Sequence, residues 1–156
     1  MLFALTLLAA LGCGLIAGVF FAFSAFVMKA LARLPPGEGI AAMQSINVVV
    51  LNPWFLGAFF GTAAACVVAL ICSLLRWHEP GAVYLFVGSV LYLVGSLLVT
   101  MVCNVPRNEA LAAVAPADPT GAGRWASYMA GWTAWNHVRT AASLAAAASF
   151  SMALRY

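Results

Sequence analysis

The sequence predicts an all-α integral membrane protein, built as a four-helix transmembrane bundle. Three observations lead there. Hydrophobic residues make up 65% of the chain and charged residues 7%, against about 45–50% and about 25% in soluble domains. The apolar residues gather into four segments, 2–28, 53–75, 82–103 and 126–154, each at or above the ~20 residues a helix needs to cross a hydrocarbon core. The connections are short, which favours antiparallel neighbours in a single bundle. No stretch is polar enough for a soluble domain, so residues 1–156 read as one transmembrane domain.

The first segment carries no charge until Lys29. It exceeds the ~7–15 residues of a signal-peptide core and has no basic stretch before it, so it is expected to stay as a span. Gly14 and Gly18 form a GxxxG pair suited to close helix approach in lipid. Leu34-Pro35-Pro36-Gly37 is a turn, and 38–47 reads as a short interfacial helix with Gln44 and Asn47 on one face. Asn52-Pro53 then supplies a favoured N-cap and a favoured first helical residue for the second segment.

Arg76 to Gly81 is a short loop with a solvated His78. The third segment ends near Asn104-Val105-Pro106-Arg107-Asn108, where Pro106 is expected to stop or kink the helix. Thr100, Asn104 and Asn108 are four apart and share a face if the helix continues. Otherwise Asn108 caps a short helix from Glu109 to Ala115. The run 115–123 is a Pro/Gly-rich connection, and the fourth segment follows Arg124.

Connectivity gathers the unusual polar residues. With four spans, the 29–52 and 104–125 connections share one side of the membrane. Gln44, Asn47, Asn104, Asn108, Trp125, Tyr128, Asn136 and Arg139 all fall toward that side. Lys29, Arg33, Arg107 and Arg124 flank it, against Arg76 and Arg155 opposite, which tilts it toward the cytoplasm. An arginine inside an apolar helix costs a few kcal/mol or more and needs partners. Arg139 is therefore expected within hydrogen-bonding reach of Asn104, Asn108, Gln44 or Asn47. At about 100° per residue, Trp125, Tyr128, Trp132, Asn136, Arg139 and Ser143 form one stripe, and His137 lies off it.

Several functions are excluded. A net charge of +3, scattered along the chain, makes no nucleic-acid surface. Cys13, Cys66, Cys72 and Cys103 sit in apolar segments without a CxxC pair, as small hydrophobes rather than metal ligands. The lipid bilayer is the expected partner, and homo-oligomerisation stays open.

Four sequence stretches resemble the small membrane family named for fungal anthrone oxygenases. They are GLIAGVFFAFS at 14–24, MQSIN at 43–47 followed by Asn52-Pro53, NVPRN at 104–108 and WNHVRT at 135–140. The resemblance implies oxidation of a flat lipophilic anthrone or phenol by dioxygen as co-substrate, without a tightly bound redox cofactor. It further implies a home in the bacterial inner membrane. Such chemistry needs a base, donors for an oxyanion and an apolar pocket. His137, the one histidine within a span, is the candidate base. Arg139, Asn136, Gln44, Asn47, Asn104 and Asn108 are candidate oxyanion donors. Trp132 and Trp135 are candidate stacking surfaces, with Trp125 and Tyr128 near the mouth. The competing class is a non-enzymatic membrane protein: a small-molecule binder, transporter subunit or scaffold.

Overall fold

A computed structural model describes residues 2–118 and 120–156, and all their regular structure is helical. The helices are α1 (Leu2–Leu31), α2 (Pro36–Val49), α3 (Pro53–Leu75), α4 (Ala82–Ala112) and α5 (Gly121–Ala153). Of these, α1, α3 and α4 are long and apolar enough to cross a membrane, which makes the chain an integral membrane protein. With 33 residues, α5 is the longest, about 50 Å at 1.5 Å per residue. It is less apolar, because Asn136, His137 and Arg139 sit in its middle. It nevertheless packs along both α1 and α4, and α3 closes the ring by packing on the other two.

Local chemistry explains most boundaries. Asn52 Oδ1 accepts from the backbone N–H groups of Trp54 and Phe55, each at 3.0 Å, and so starts α3 as an N-cap. Gly81 adopts φ +90°, a left-handed conformation that glycine reaches without steric cost, and this turns the chain into α4. Asp118 Oδ1 accepts from the hydroxyl and backbone N–H of Thr120 in the turn before α5. Those bonds, the hydroxyl's foremost, hold its carboxyl below the ordinary range.

The third long helix departs from the expected boundary at 103. It runs through Pro106 to Ala112, and no separate helix starts at Glu109. Proline removes a backbone donor and crowds the preceding turn. Here the preceding turn, Thr100–Asn104, is already widened with i→i+5 bonds, as is Leu93–Leu98 before it. The wider turn accommodates the ring without ending the helix. Asn108 is consequently an interior residue of α4 rather than a cap. α3 has the expected limits, Pro53–Leu75, whereas α1 continues to Leu31, α2 spans Pro36–Val49 and α5 begins at Gly121.

The interior is layered. One apolar cluster holds Cys13, Ile16, Phe20, Phe59, Cys66, Tyr92 and Phe150. The other holds Met28, Ile40, Met43, Leu111, Trp125, Tyr128 and Trp132. Along α5 the buried polar residues Asn136, Arg139, Thr140 and Ser143 lie between them. α2 packs on α5 and the end of α4, and a Cβ at Gly39 would stand 2.9 Å from the Trp125 ring.

Replacing Asn52 by alanine removes both capping bonds and should lower stability by about 1 kcal/mol. Denaturant titration in detergent micelles checks this. An unchanged midpoint would show that α3 starts without the cap.

Candidate functional site

Arg139 is 4% exposed, on the buried stripe of α5. Its Nη2 donates to Asn136 Oδ1 at 2.7 Å, one helical turn away, and its Nη1 donates to Thr100 Oγ1 of α4 at 3.1 Å. Its guanidinium carbon stands 4.1 Å from the Phe20 ring centroid and 5.1 Å from that of Trp132. These are cation–π distances, and desolvation strengthens such contacts. No carboxylate partners the charge: the one ion pair among the described residues joins Arg76 and Glu79 at the surface.

Asn136 is fully buried and organises the rest. Its Nδ2 donates to the Phe20 carbonyl and to Ser24 Oγ, both at 2.7 Å. Thr140 Oγ1 donates to the Asn136 carbonyl and lies 3.2 Å from Ser24 Oγ. Ser24 itself sits in the widened turn Phe23–Val27 of α1. One amide therefore ties α5 to α1 while orienting the arginine that ties α5 to α4.

Beside this network lies a cavity of about 620 Å³, within the usual range for small-molecule sites. Phe20, Phe23, Phe55, Phe59 and Trp132 form its aromatic walls, and Arg139, Thr100 and Asn47 its polar patch. Phe55 and Phe59 stack with centroids 5.9 Å apart and planes 8° apart. Three side-chain nitrogens of lining residues are buried without a hydrogen-bond partner: Arg139 Nε, Asn47 Nδ2 and Trp132 Nε1. All three are donors. A guanidinium carries five N–H groups, and here the protein engages two of them. An unmatched buried donor costs roughly 1–3 kcal/mol, and more when charged. Glu109 and Gln44 add acceptor oxygens at the lining, so the cavity joins aromatic walls and a cation to polar groups of both kinds, which suits a lipophilic molecule carrying an acceptor oxygen.

The expected site residues divide. Arg139, Asn47, Gln44, Asn108 and Trp132 line the cavity, and Asn136 supports Arg139 from behind. The expected bond from Arg139 to one of the four amides does not form, because most of those amides hold backbone or side chains elsewhere. Gln44 Nε2 donates to the Leu111 and Val114 carbonyls, both at 2.9 Å, and so closes the end of α4. Asn104 Nδ2 donates to the Trp132 carbonyl, and Asn108 Oδ1 accepts from Tyr128 Oη at 2.9 Å. The widened turn breaks the four-residue spacing. Thr100 and Asn108 line the cavity, while Asn104 is packed against α5.

Trp125 and Tyr128 stack beneath α2, 5.7 Å apart, as part of the core rather than the cavity wall. His137 and Trp135 are exposed and absent from the lining. His137 borders a smaller recess of about 250 Å³ with Ser24, Lys29 and Thr133. Sequence reasoning missed Phe20, Phe23, Ser24 and Thr100 as site residues. Their signals were present: three stand in the GLIAGVFFAFS stretch, and Thr100 is four residues before Asn104.

Against known proteins, the family model described as anthrone oxygenase matches residues 53–149, which takes in α3, α4 and most of α5. No curated protein and no solved structure matches the chain.

Truncating Asn136 to alanine leaves Arg139 Nη2 and the α1 contacts unpaired in the interior. The expected loss is about 3 kcal/mol, because a buried charge then lacks its acceptor. Thermal unfolding in detergent measures it, and a loss below about 0.5 kcal/mol, the scale of a neutral surface change, would contradict the assigned network.

Proposed function

The chain belongs to the anthrone oxygenase family, and on that premise we propose that it oxidises a flat, lipophilic anthrone- or phenol-type substrate with dioxygen inside the cavity. The observation that carries this reading is the pairing of aromatic walls with surplus donors centred on Arg139. α5 serves as the fourth span, and the 29–52 and 104–125 connections face the cytoplasm of a bacterial inner membrane.

The reaction balances without an external reductant. Conversion of the anthrone methylene to a carbonyl is a four-electron oxidation. Those four electrons reduce one dioxygen, whose atoms end in the new carbonyl and in one water. Removal of a methylene proton puts negative charge on the ring-carbonyl oxygen, where Arg139 and its neighbouring donors stabilise it. The electron-rich ring then combines with dioxygen as a hydroperoxide, which loses water to give the quinone. Glu109, the one ionisable proton acceptor among the lining residues, is placed to take the proton at the cavity edge. This reading gives the proton to Glu109 rather than to His137, which borders the smaller recess. Phe55, Phe59 and Trp132 hold the ring system, and their apolar surface keeps water from the oxyanion.

Purified protein given an anthrone under air should form the quinone faster than detergent alone. Arg139→Gln is expected to lower that rate about 100-fold, the scale of losing an oxyanion donor set. His137→Ala should stay within about threefold, equivalent to less than 1 kcal/mol. Product is followed by its absorbance. An Arg139→Gln variant as active as the parent would sink the mechanism. Failure of every anthrone to react, with saturable binding retained, would make the protein a binder.

A further inference from the structure

The cavity is not closed on the side between α3 and α4. α3 packs along Ala82–Leu98 of α4, but from Thr100 onward the two helices make at most marginal contact. The contact ends past Leu98, where α4 enters its second widened turn, Thr100–Asn104. The cavity lining runs outward through this gap. Phe60 is 53% exposed, Met101 57% and Val105 38%, and all three line the cavity. In a membrane protein, exposed apolar side chains on spanning helices face lipid. This cavity therefore has a mouth on the bilayer, rimmed by Phe60 on α3 and Met101 on α4.

Its depth fits an amphiphilic ring compound. Phe60 lies seven residues after Pro53, the start of α3, or about 10 Å along the axis. That places the rim just inside the hydrocarbon, beneath the interfacial zone where amphipathic aromatic rings settle. Arg139, deeper in, presents donors to the polar end of such a molecule. We infer that the gap between α3 and α4 is a lateral portal, through which a membrane-dissolved hydroxyaromatic or quinone-type compound enters from the bilayer, with Phe60 and Met101 as its gate. This rests on the ligand-binding reading above and adds the route and the physical state of the substrate. A molecule bound this way never needs to dissolve in water.

The test uses the full chain in lipid nanodiscs and a fluorescent hydroxyanthraquinone as probe, followed by stopped-flow. Phe60→Trp and Met101→Trp each enlarge a lipid-facing rim side chain and narrow the gap. Leu74→Trp, a lipid-facing change at the far end of α3, is the control. A gate alters the barrier and not the bound state. Both rim variants should therefore slow association and dissociation alike, each about tenfold. The dissociation constant should hold within about twofold, and the control should behave as the parent. Rates unchanged in both rim variants, with binding intact, would overturn the portal alone and indicate loading from the aqueous end beneath α2, with the gap a lipid-filled groove. Weakened binding with no slowing would make the two residues part of the wall, which also overturns a gate. Lack of saturable binding by the parent protein would instead overturn the ligand-binding reading, and the portal with it.

Discussion

The structure depends on holding one guanidinium in an apolar bundle. A charge buried this deeply is tolerated when its field and its donors are met by fixed groups. Arg139 has an amide oxygen, a hydroxyl and two aromatic faces, but no carboxylate. A carboxylate would neutralise the site. Amide and hydroxyl acceptors orient the cation and leave its charge available. Three of its five N–H groups are left without a protein acceptor, and the nearest open volume is the aromatic cavity. Asn136 makes this arrangement rigid, because the amide that accepts from Arg139 also donates twice to α1. The position of the cation is thereby locked to the packing of α1 against α5.

Irregular helix geometry shapes the space in front of that cation. α3 packs on α4 as far as Leu98, and the cavity lies beyond that point. The second widened turn ahead of Pro106 begins where that contact ends, and its first residue, Thr100, meets Arg139. α2 then roofs the opening at the aqueous end. It is drawn close by Gly39 against Trp125, and Gln44 anchors it on the final carbonyls of α4. Packing, backbone strain relief at a proline and one buried charge thus produce a site with a roof toward water and a gap toward lipid.

Much of this was legible in the sequence because it follows from composition and period. The helical class and the Asn52 cap follow from hydrophobic runs and local capping chemistry. The stripe Trp125, Tyr128, Trp132, Asn136, Arg139 and Ser143 is buried as a helical period requires, with His137 turned away from it. The partners of Arg139 were not legible. A stripe of amides four apart assumes a regular helix, and the i→i+5 turn at Thr100–Asn104 shifts that register by a residue. Thr100 therefore reaches the arginine and Asn104 does not. Gln44 read as a free polar group because sequence does not reveal that two helix-end carbonyls will lie against it. Ser24 and Phe20 stood out only as members of the GLIAGVFFAFS stretch, since the partners they meet exist only once α1 packs on α5.

The central claim is that Arg139 holds an acceptor oxygen of a lipophilic ring compound. Isotope-edited infrared difference spectroscopy tests it most directly, using an anthraquinone labelled at one carbonyl and bound to the protein in nanodiscs. The carbonyl stretch should fall below its value in lipid alone, because a charged donor lengthens the bond, and it should return toward the lipid value in Arg139→Gln. A bound carbonyl vibrating at the same frequency in both proteins would contradict the account, since the ligand would then occupy the cavity without touching the cation that shapes it.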